Sequence, residues 1–184
     1  MIEKFKIRML GPFKKMRKFV FKPGINIILG KNCSGKTVMV WTINSLMTGN
    51  IFWDEIGVNA PERRKWPYSA LEWTGGYGVI SVRKHENGLD KAHRFVGKFN
   101  NFLFSAYGGK DAERVSRDVI EIMEMGDKQR SDTRILILDD ILDALSPAGK
   151  KRLMDAFRGK KDFQLIATAR KLSGEMKGAN IIRL

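Results

Sequence analysis

A chain of 184 residues with a 43% hydrophobic fraction is long enough to enclose a real core and suits one compact domain. Its single cysteine, Cys33, excludes an internal disulfide, its two histidines argue against a structural zinc site, and no apolar run nears the roughly 20 residues that cross a bilayer. Thirty-four Lys and Arg against twenty Asp and Glu leave a formal charge of +14, which points to a polyanionic partner and, among polyanions, first to nucleic acid. These features together predict a cytoplasmic protein with no membrane segment.

In chain order, EKFKIRM alternates Phe5, Ile7 and Met9 with Lys4, Lys6 and Arg8, the pattern of a strand with one wet face. LGP breaks it, MRKFVF gives a second strand, and Pro23-Gly24 marks a turn. Lys4, Lys6, Arg8, Lys14, Lys15, Arg17, Lys18 and Lys22 fall in this opening stretch with only Glu3 to oppose them. INIIL carries almost no polar side chain, as a strand covered on both faces does. TVMVWTINSLM has helical spacing, and Thr48-Gly49-Asn50 closes the helix. Residues 50 to 77 show no clean period and read as irregular. They hold Trp53, Trp66 and Trp73, which with Tyr68 form either a base-stacking surface or a small satellite core.

GVISVRK, a turn at ENG and HRFVGKF then read as a β-hairpin. A helix starts near Asp111 and runs through Met125, with Val115, Val119, Ile122 and Met123 on one face. RILILDD is a second buried strand, ending in carboxylates. Ser146-Pro147 starts another helix, with an N-cap hydroxyl followed by proline at the first helical position. FQLIATA and NIIRL supply the last strands. The whole predicts one α/β domain over residues 1–184, with residues from about 50 to 105 forming a variable lobe that contains the hairpin.

Between the buried strand and the first helix stands GKNCSGKT, which satisfies the spacing GxxxxGK[ST] from Gly30 to Thr37. Glycines let the backbone curl so that successive N–H groups face a phosphate, and the following helix adds the positive end of its dipole. Gly30, Lys31, Asn32, Cys33, Ser34, Gly35, Lys36 and Thr37 therefore form the candidate nucleotide cradle. Lys36 reaches the β and γ phosphates, and Thr37 offers its hydroxyl to Mg²⁺. A hundred residues on, Asp139 stands at the tip of a buried strand, where a phosphate-loop enzyme holds its magnesium. Asp140 follows, placed to polarise an attacking water.

With these elements in place, the sequence resembles the ATP-binding-cassette (ABC) ATPase heads of the chromosome-maintenance and recombination-repair group, the SMC-type and RecF-type heads. The stretch GPFKKMRKFVFKPGINIILGKNCSGKT is similar to their opening strands and phosphate loop, and DDILDALSP to their run of magnesium carboxylate, catalytic acid and dimer-contacting D-loop. FQLIATAR resembles the strand that leads to the switch histidine, and IIRL the closing strand. The resemblance implies a central, mostly parallel sheet flanked by helices, with an N-terminal antiparallel portion. It also implies Mg-ATP as the ligand, hydrolysis to ADP and phosphate, an ATP-dependent homodimer, and DNA as partner.

Three positions depart from the family pattern. Asp140 stands in place of glutamate, Ser146 in place of the D-loop aspartate, and Arg170 in place of the switch histidine, where it inherits a catalytic, γ-phosphate-sensing role. Cys33 fills a loop position that is often glycine. The signature segment, which in this group reaches the nucleotide on the opposite subunit, is best matched by SAYGGKDAERV through Gly108 and Gly109. Neither Gln129 nor Gln164 fills the magnesium-sensing glutamine loop. No long coiled-coil insertion separates the phosphate loop from the candidate signature. Turnover is expected to be slow, and two other readings stand beside it: a nucleotide-gated DNA-binding module with negligible hydrolysis, or the ATPase subunit of a transporter. A GTPase is disfavoured, since the chain has no Asn-Lys-x-Asp motif.

Overall fold

The computed structural model describes residues 1–49, 67–74, 76–85, 88–96, 101–105, 112–129, 135–160 and 162–184. It divides into two compact units: residues 2–21 with 37–99, and residue 1 with 22–36 and 100–184.

The first unit is built on an antiparallel sheet. Strands β1 (Ile2–Arg8), β2 (Arg17–Val20), β4 (Tyr68–Trp73), β5 (Gly76–His85) and β6 (Gly88–Val96) pair in the order β2-β1-β4-β5-β6. The alternation read from EKFKIRM holds from Phe5 onward, and a register shift between Ile2 and Lys4 brings Ile2 inward as well. Phe5 stacks on Phe19 and Phe13 meets the same ring edge-on, each at 6.2 Å between centroids. On the face that carries Lys4 and Lys6, both ammonium groups bond the Glu72 carboxylate, at 3.3 and 3.2 Å. The hairpin expected around residue 86 is present, with β5 and β6 paired from Tyr77↔Val96 to His85↔Gly88.

Strand β4 corrects the reading of residues 50–77 as irregular. YSALEW hides its period because one of the inward positions is Ser69, a residue that pattern reading counts as polar. Ser69 is fully buried and donates its hydroxyl to the Lys6 carbonyl at 2.8 Å, while Leu71 and Trp73 share its face. Trp73 is only 4% exposed, so it belongs to a satellite core and not to a stacking surface. Trp53 and Trp66 lie outside the described residues. Helix α1 (Lys36–Thr48) runs into this unit, and at Gly78 a Cβ would meet the Leu46 carbonyl oxygen at 2.6 Å, so only glycine lets the helix and β5 come so close.

The second unit holds a parallel sheet in the order β10-β3-β9-β8-β7: β3 (Gly24–Leu29), β7 (Asn101–Ser105), β8 (Ile135–Asp139), β9 (Gln164–Ala169) and β10 (Asn180–Arg183). β8 and β9 are buried at every residue, as a sheet covered on both faces requires. Helices α2 (Ala112–Gln129), α3 (Ile141–Ala144) and α4 (Pro147–Phe157) accompany it. The α2 stripe of Val115, Val119, Ile122 and Met123 packs into the core with Leu136, Leu138, Leu153 and Phe157. Burying Phe157 alone contributes on the order of 2–3 kcal/mol. α2 continues past Gly126, beyond the end expected at Met125, because one glycine costs a helix only about 1 kcal/mol. β7 and the short α3 were not foreseen. Among the described residues no helix is long and apolar enough to cross a membrane.

Candidate nucleotide site

The start of the loop at Gly30, Asp139 and Thr168 lie in the parallel-sheet unit, at or just after the C-terminal ends of β3, β8 and β9. The loop leaves β3 at Gly30, whose N–H donates to the Ala169 carbonyl on β9 at 3.1 Å. Lys31, Asn32 and Cys33 are exposed, Ser34 is half-buried, and Gly35 and Lys36 are buried. Cys33 takes a left-handed φ of 60°, which explains why glycine suits this position; a non-glycine residue there costs on the order of 1–2 kcal/mol. Gly35 lies at φ 99°, where glycine alone is comfortable.

Lys36 is 6% exposed, and its ammonium donates to the carbonyls of Gly30 and Lys31, both at 3.0 Å. The side chain is thereby held across the curl of the loop by groups that leave its charge uncompensated. A Cβ at Gly30 would collide with the Ser34 hydroxyl, so the loop closes on itself only with glycine at that position. Ser34 Oγ is shielded from solvent and has no hydrogen-bond partner among the described residues. A loop presenting a buried cation and an unpaired hydroxyl fits the phosphate chain of a nucleotide. Thr37 is the second residue of α1.

Asp139 closes β8 and is 1% exposed. Thr168 Oγ1 on β9 donates to Asp139 Oδ1 at 3.1 Å and accepts the Asp140 N–H at 2.8 Å. Asp140 sits at φ 56°, a left-handed turn that aspartate tolerates better than most residues, and its side chain is exposed. Oxygen donors of this kind suit a hard divalent cation. Two consecutive residues of β9 thus serve both halves of the site: Ala169 receives the start of the loop and Thr168 holds the carboxylate strand end.

Arg170 follows β9 directly. Its backbone N–H donates to both Asp143 carboxylate oxygens, at 2.9 and 3.1 Å, and its Nε donates to Oδ2 at 3.0 Å. The guanidinium is nonetheless half-exposed. Ser146 caps α4 by accepting the Gly149 N–H at 3.1 Å, as the Ser-Pro pair predicts. Gln164 is fully buried and donates to the Lys22 carbonyl, a structural role. Gly108 and Gly109 lie outside the described residues. Sequence reasoning missed Thr168, Asp143 and Glu113, the last of which accepts bonds from Ser146.

No family model and no curated protein matches the sequence. Solved structures do. The SMC head domain from Thermotoga maritima matches at 13% identity with a TM-score of 0.57, over 92% of this chain and 89% of that one. The recombination mediator protein RecF, solved as RecF-ATPrS in the RecFOR pathway, matches at 12% identity with a TM-score of 0.65, over 100% and 96%. The Smc head bound to the C-winged helix domain of ScpA matches at 12% identity with a TM-score of 0.62, over 99% and 94%. The chain therefore has the fold of a phosphate-loop NTPase of the ABC ATPase-head type. Within that class its structural likeness is to the heads of SMC and RecF.

Proposed function

We propose that residues 1–184 act as one ATPase domain that binds Mg-ATP, pairs with a second copy on binding, hydrolyses ATP slowly and works on or with DNA. The observation that carries this reading is the double anchorage on β9, with Gly30 bonded to Ala169 and Asp139 to Thr168. It ties Gly30, at the start of the loop, and Asp139, the candidate metal carboxylate, to one strand.

In this reading the loop amides from Lys31 to Thr37 and the Lys36 ammonium take up the negative charge of the β and γ phosphates. Lys36 is already held by its two carbonyls and needs little reorganisation to do so. Thr37 and Asp139 would hold Mg²⁺, which when bound neutralises charge on the phosphate oxygens. Asp140 orients water, with its backbone pinned by Thr168. Arg170 senses the γ phosphate, and Gly108 and Gly109 would meet the nucleotide of the opposite copy. The basic surface supplies phosphate contacts for DNA, in keeping with the likeness of the fold to a recombination mediator protein and to an SMC head domain.

Calorimetry with Mg²⁺ and a non-hydrolysable ATP analogue tests the core of this reading. Wild type gives a heat of association and Lys36→Ala gives none; normal binding and turnover in Lys36→Ala would defeat it. DNA affinity measured over a salt series is expected to fall steeply, and a flat dependence removes DNA from the proposal.

A second reading, a nucleotide-gated DNA-binding module with negligible turnover, is favoured by Arg170 being committed to Asp143 through Nε. Comparing turnover with ATP-dependent pairing in wild type and Asp140→Asn separates the two. Loss of turnover with pairing retained supports hydrolysis as the native activity.

A further inference from the structure

Glu113 is the second residue of α2, the helix that follows Gly108 and Gly109 in the chain. Its carboxylate reaches the turn between α3 and α4, 33 residues away. There Oε1 accepts two bonds, from the Ser146 hydroxyl at 2.6 Å and from the Ser146 backbone N–H at 3.0 Å. Ser146 Oγ in turn accepts the Gly149 N–H at 3.1 Å. One carboxylate oxygen thus holds the residue that caps α4, at the end of the stretch that begins with Asp139 and Asp140.

The fit at Gly149 is tight. A Cβ there would lie 2.5 and 2.6 Å from the two Glu113 carboxylate oxygens, so a larger residue obliges the carboxylate end to shift from its place beside Ser146. The bonds from Ser146, first its hydroxyl and then its amide, hold the Glu113 carboxyl below its ordinary value, with Arg152 and Arg117 assisting. It is therefore ionised at neutral pH, the form that accepts both bonds. A carboxylate used only to favour a helix N-terminus needs neither a partner so far along the chain nor a glycine to admit it.

From this geometry we infer that Glu113 is a positioning residue that couples the first turn of α2 to the Ser146 turn, so that a nucleotide-driven shift in one is transmitted to the other. The inference rests on the Mg-ATP reading above and names the link by which the candidate signature helix and the carboxylate-bearing stretch move together.

The test uses the full chain as wild type, Glu113→Ala, Glu113→Gln and Gly149→Ala. Each is titrated with Mg²⁺ and a non-hydrolysable ATP analogue by calorimetry, then followed by amide hydrogen exchange over the first turn of α2 and over residues 146–150. In wild type both segments change exchange rate on nucleotide binding, by about threefold or more. In Glu113→Ala and Gly149→Ala one segment keeps that response and the other loses it, with nucleotide affinity within about twofold of wild type. Free of nucleotide, the Ser146 amide exchanges on the order of tenfold faster in these variants, since its acceptor is gone. Glu113→Gln, whose amide oxygen still accepts both bonds, restores joint response.

If both segments go on responding together in the variants, or if nucleotide-bound wild type shows a response in neither, the coupling role is wrong and Glu113 is a structural cap only. An absence of binding heat in wild type strikes the Mg-ATP reading first and takes this inference with it, a result distinct from the other two. Should Glu113→Ala and Gly149→Ala both fail to fold, Ser146→Ala, which removes the hydroxyl and keeps the Glu113 charge, carries the same comparison.

Discussion

Replacing Thr168 by valine removes one hydroxyl and leaves the shape of the side chain. That hydroxyl is fully buried, donates to Asp139 Oδ1 at 3.1 Å and accepts the Asp140 N–H at 2.8 Å. A neutral bond of the second kind contributes about 1 kcal/mol, and one to an ionised carboxylate about 1.5–3 kcal/mol. The loss also leaves Asp139, 1% exposed, with one donor fewer. The expected cost is about 3 kcal/mol, which for a chain of this length lowers the melting temperature by roughly 6–12 °C. Thr168→Ser keeps the hydroxyl and gives up one buried methyl, a cost of about 1 kcal/mol. Thermal unfolding of the three proteins side by side decides the matter. Val melting within about 2 °C of wild type, or Ser melting below Val, would refute the claim that the hydroxyl and not the methyl makes Thr168 important.

Asn26 is fully buried and makes four bonds, to the Lys22 N–H and carbonyl, the Gly24 carbonyl and the Asn180 side chain; Asn26→Leu is expected to cost about 2–4 kcal/mol in urea unfolding. Gly78→Ala places a Cβ 2.6 Å from the Leu46 carbonyl oxygen and is expected to destabilise by about 1–3 kcal/mol, whereas Gly174→Ala, whose Cβ meets nothing within 4 Å, changes the melting point by less than 2 °C. Glu72, held down by its bonds to Lys6 and Lys4, and Glu113, held down by Ser146, both have carboxyls lowered from an ordinary 4.5. Each therefore lends stability that is fully present above pH 4.5 and is lost as pH falls through its lowered value, so an acid melting series should fall less steeply for Glu72→Gln and Glu113→Gln than for wild type.

Those local conformations of the candidate site that a short pattern can carry were readable in the chain. GKNCSGKT fixes its own curl by the spacing of Gly30, Gly35 and Lys36, and RILILDD announces a buried strand with an acidic tip. Ser146-Pro147 names its own helix cap. Roles created by register were not readable. Thr168 looks like one more β-branched strand residue until parallel pairing sets β9 beside β8 and brings its hydroxyl against Asp139. Asp143 and Arg170 lie 27 positions apart, and Glu113 and Ser146 lie 33 apart, with no periodicity to join them. β4 escaped because its inward face includes Ser69, which satisfies itself on the Lys6 carbonyl. In each case a polar side chain is buried with a partner that only the folded chain supplies.

The strand β9 explains why the departures at Asp140 and Arg170 belong together. Its end reaches sideways twice: Thr168, within the strand, to Asp139 and the Asp140 amide, and Arg170, just after it, to Asp143. These two rungs tie the turn after β8 to the end of β9 on either side of the left-handed Asp140. In the proposed reading, an aspartate whose backbone N–H is held in this way has only its side-chain rotamers with which to make up for being a methylene shorter than glutamate. In the same reading, an arginine whose Nε is bonded to Asp143 would reach a γ phosphate through its terminal nitrogens alone, or after giving up that bond. Both constraints act on positioning and not on charge, and misplacement of about an ångström costs on the order of a hundredfold in rate. Within the proposed ATPase reading, a turn bonded on both sides in this way is the physical reason to expect holding a nucleotide over splitting it quickly, in a chain whose phosphate loop departs from its motif at no fixed position.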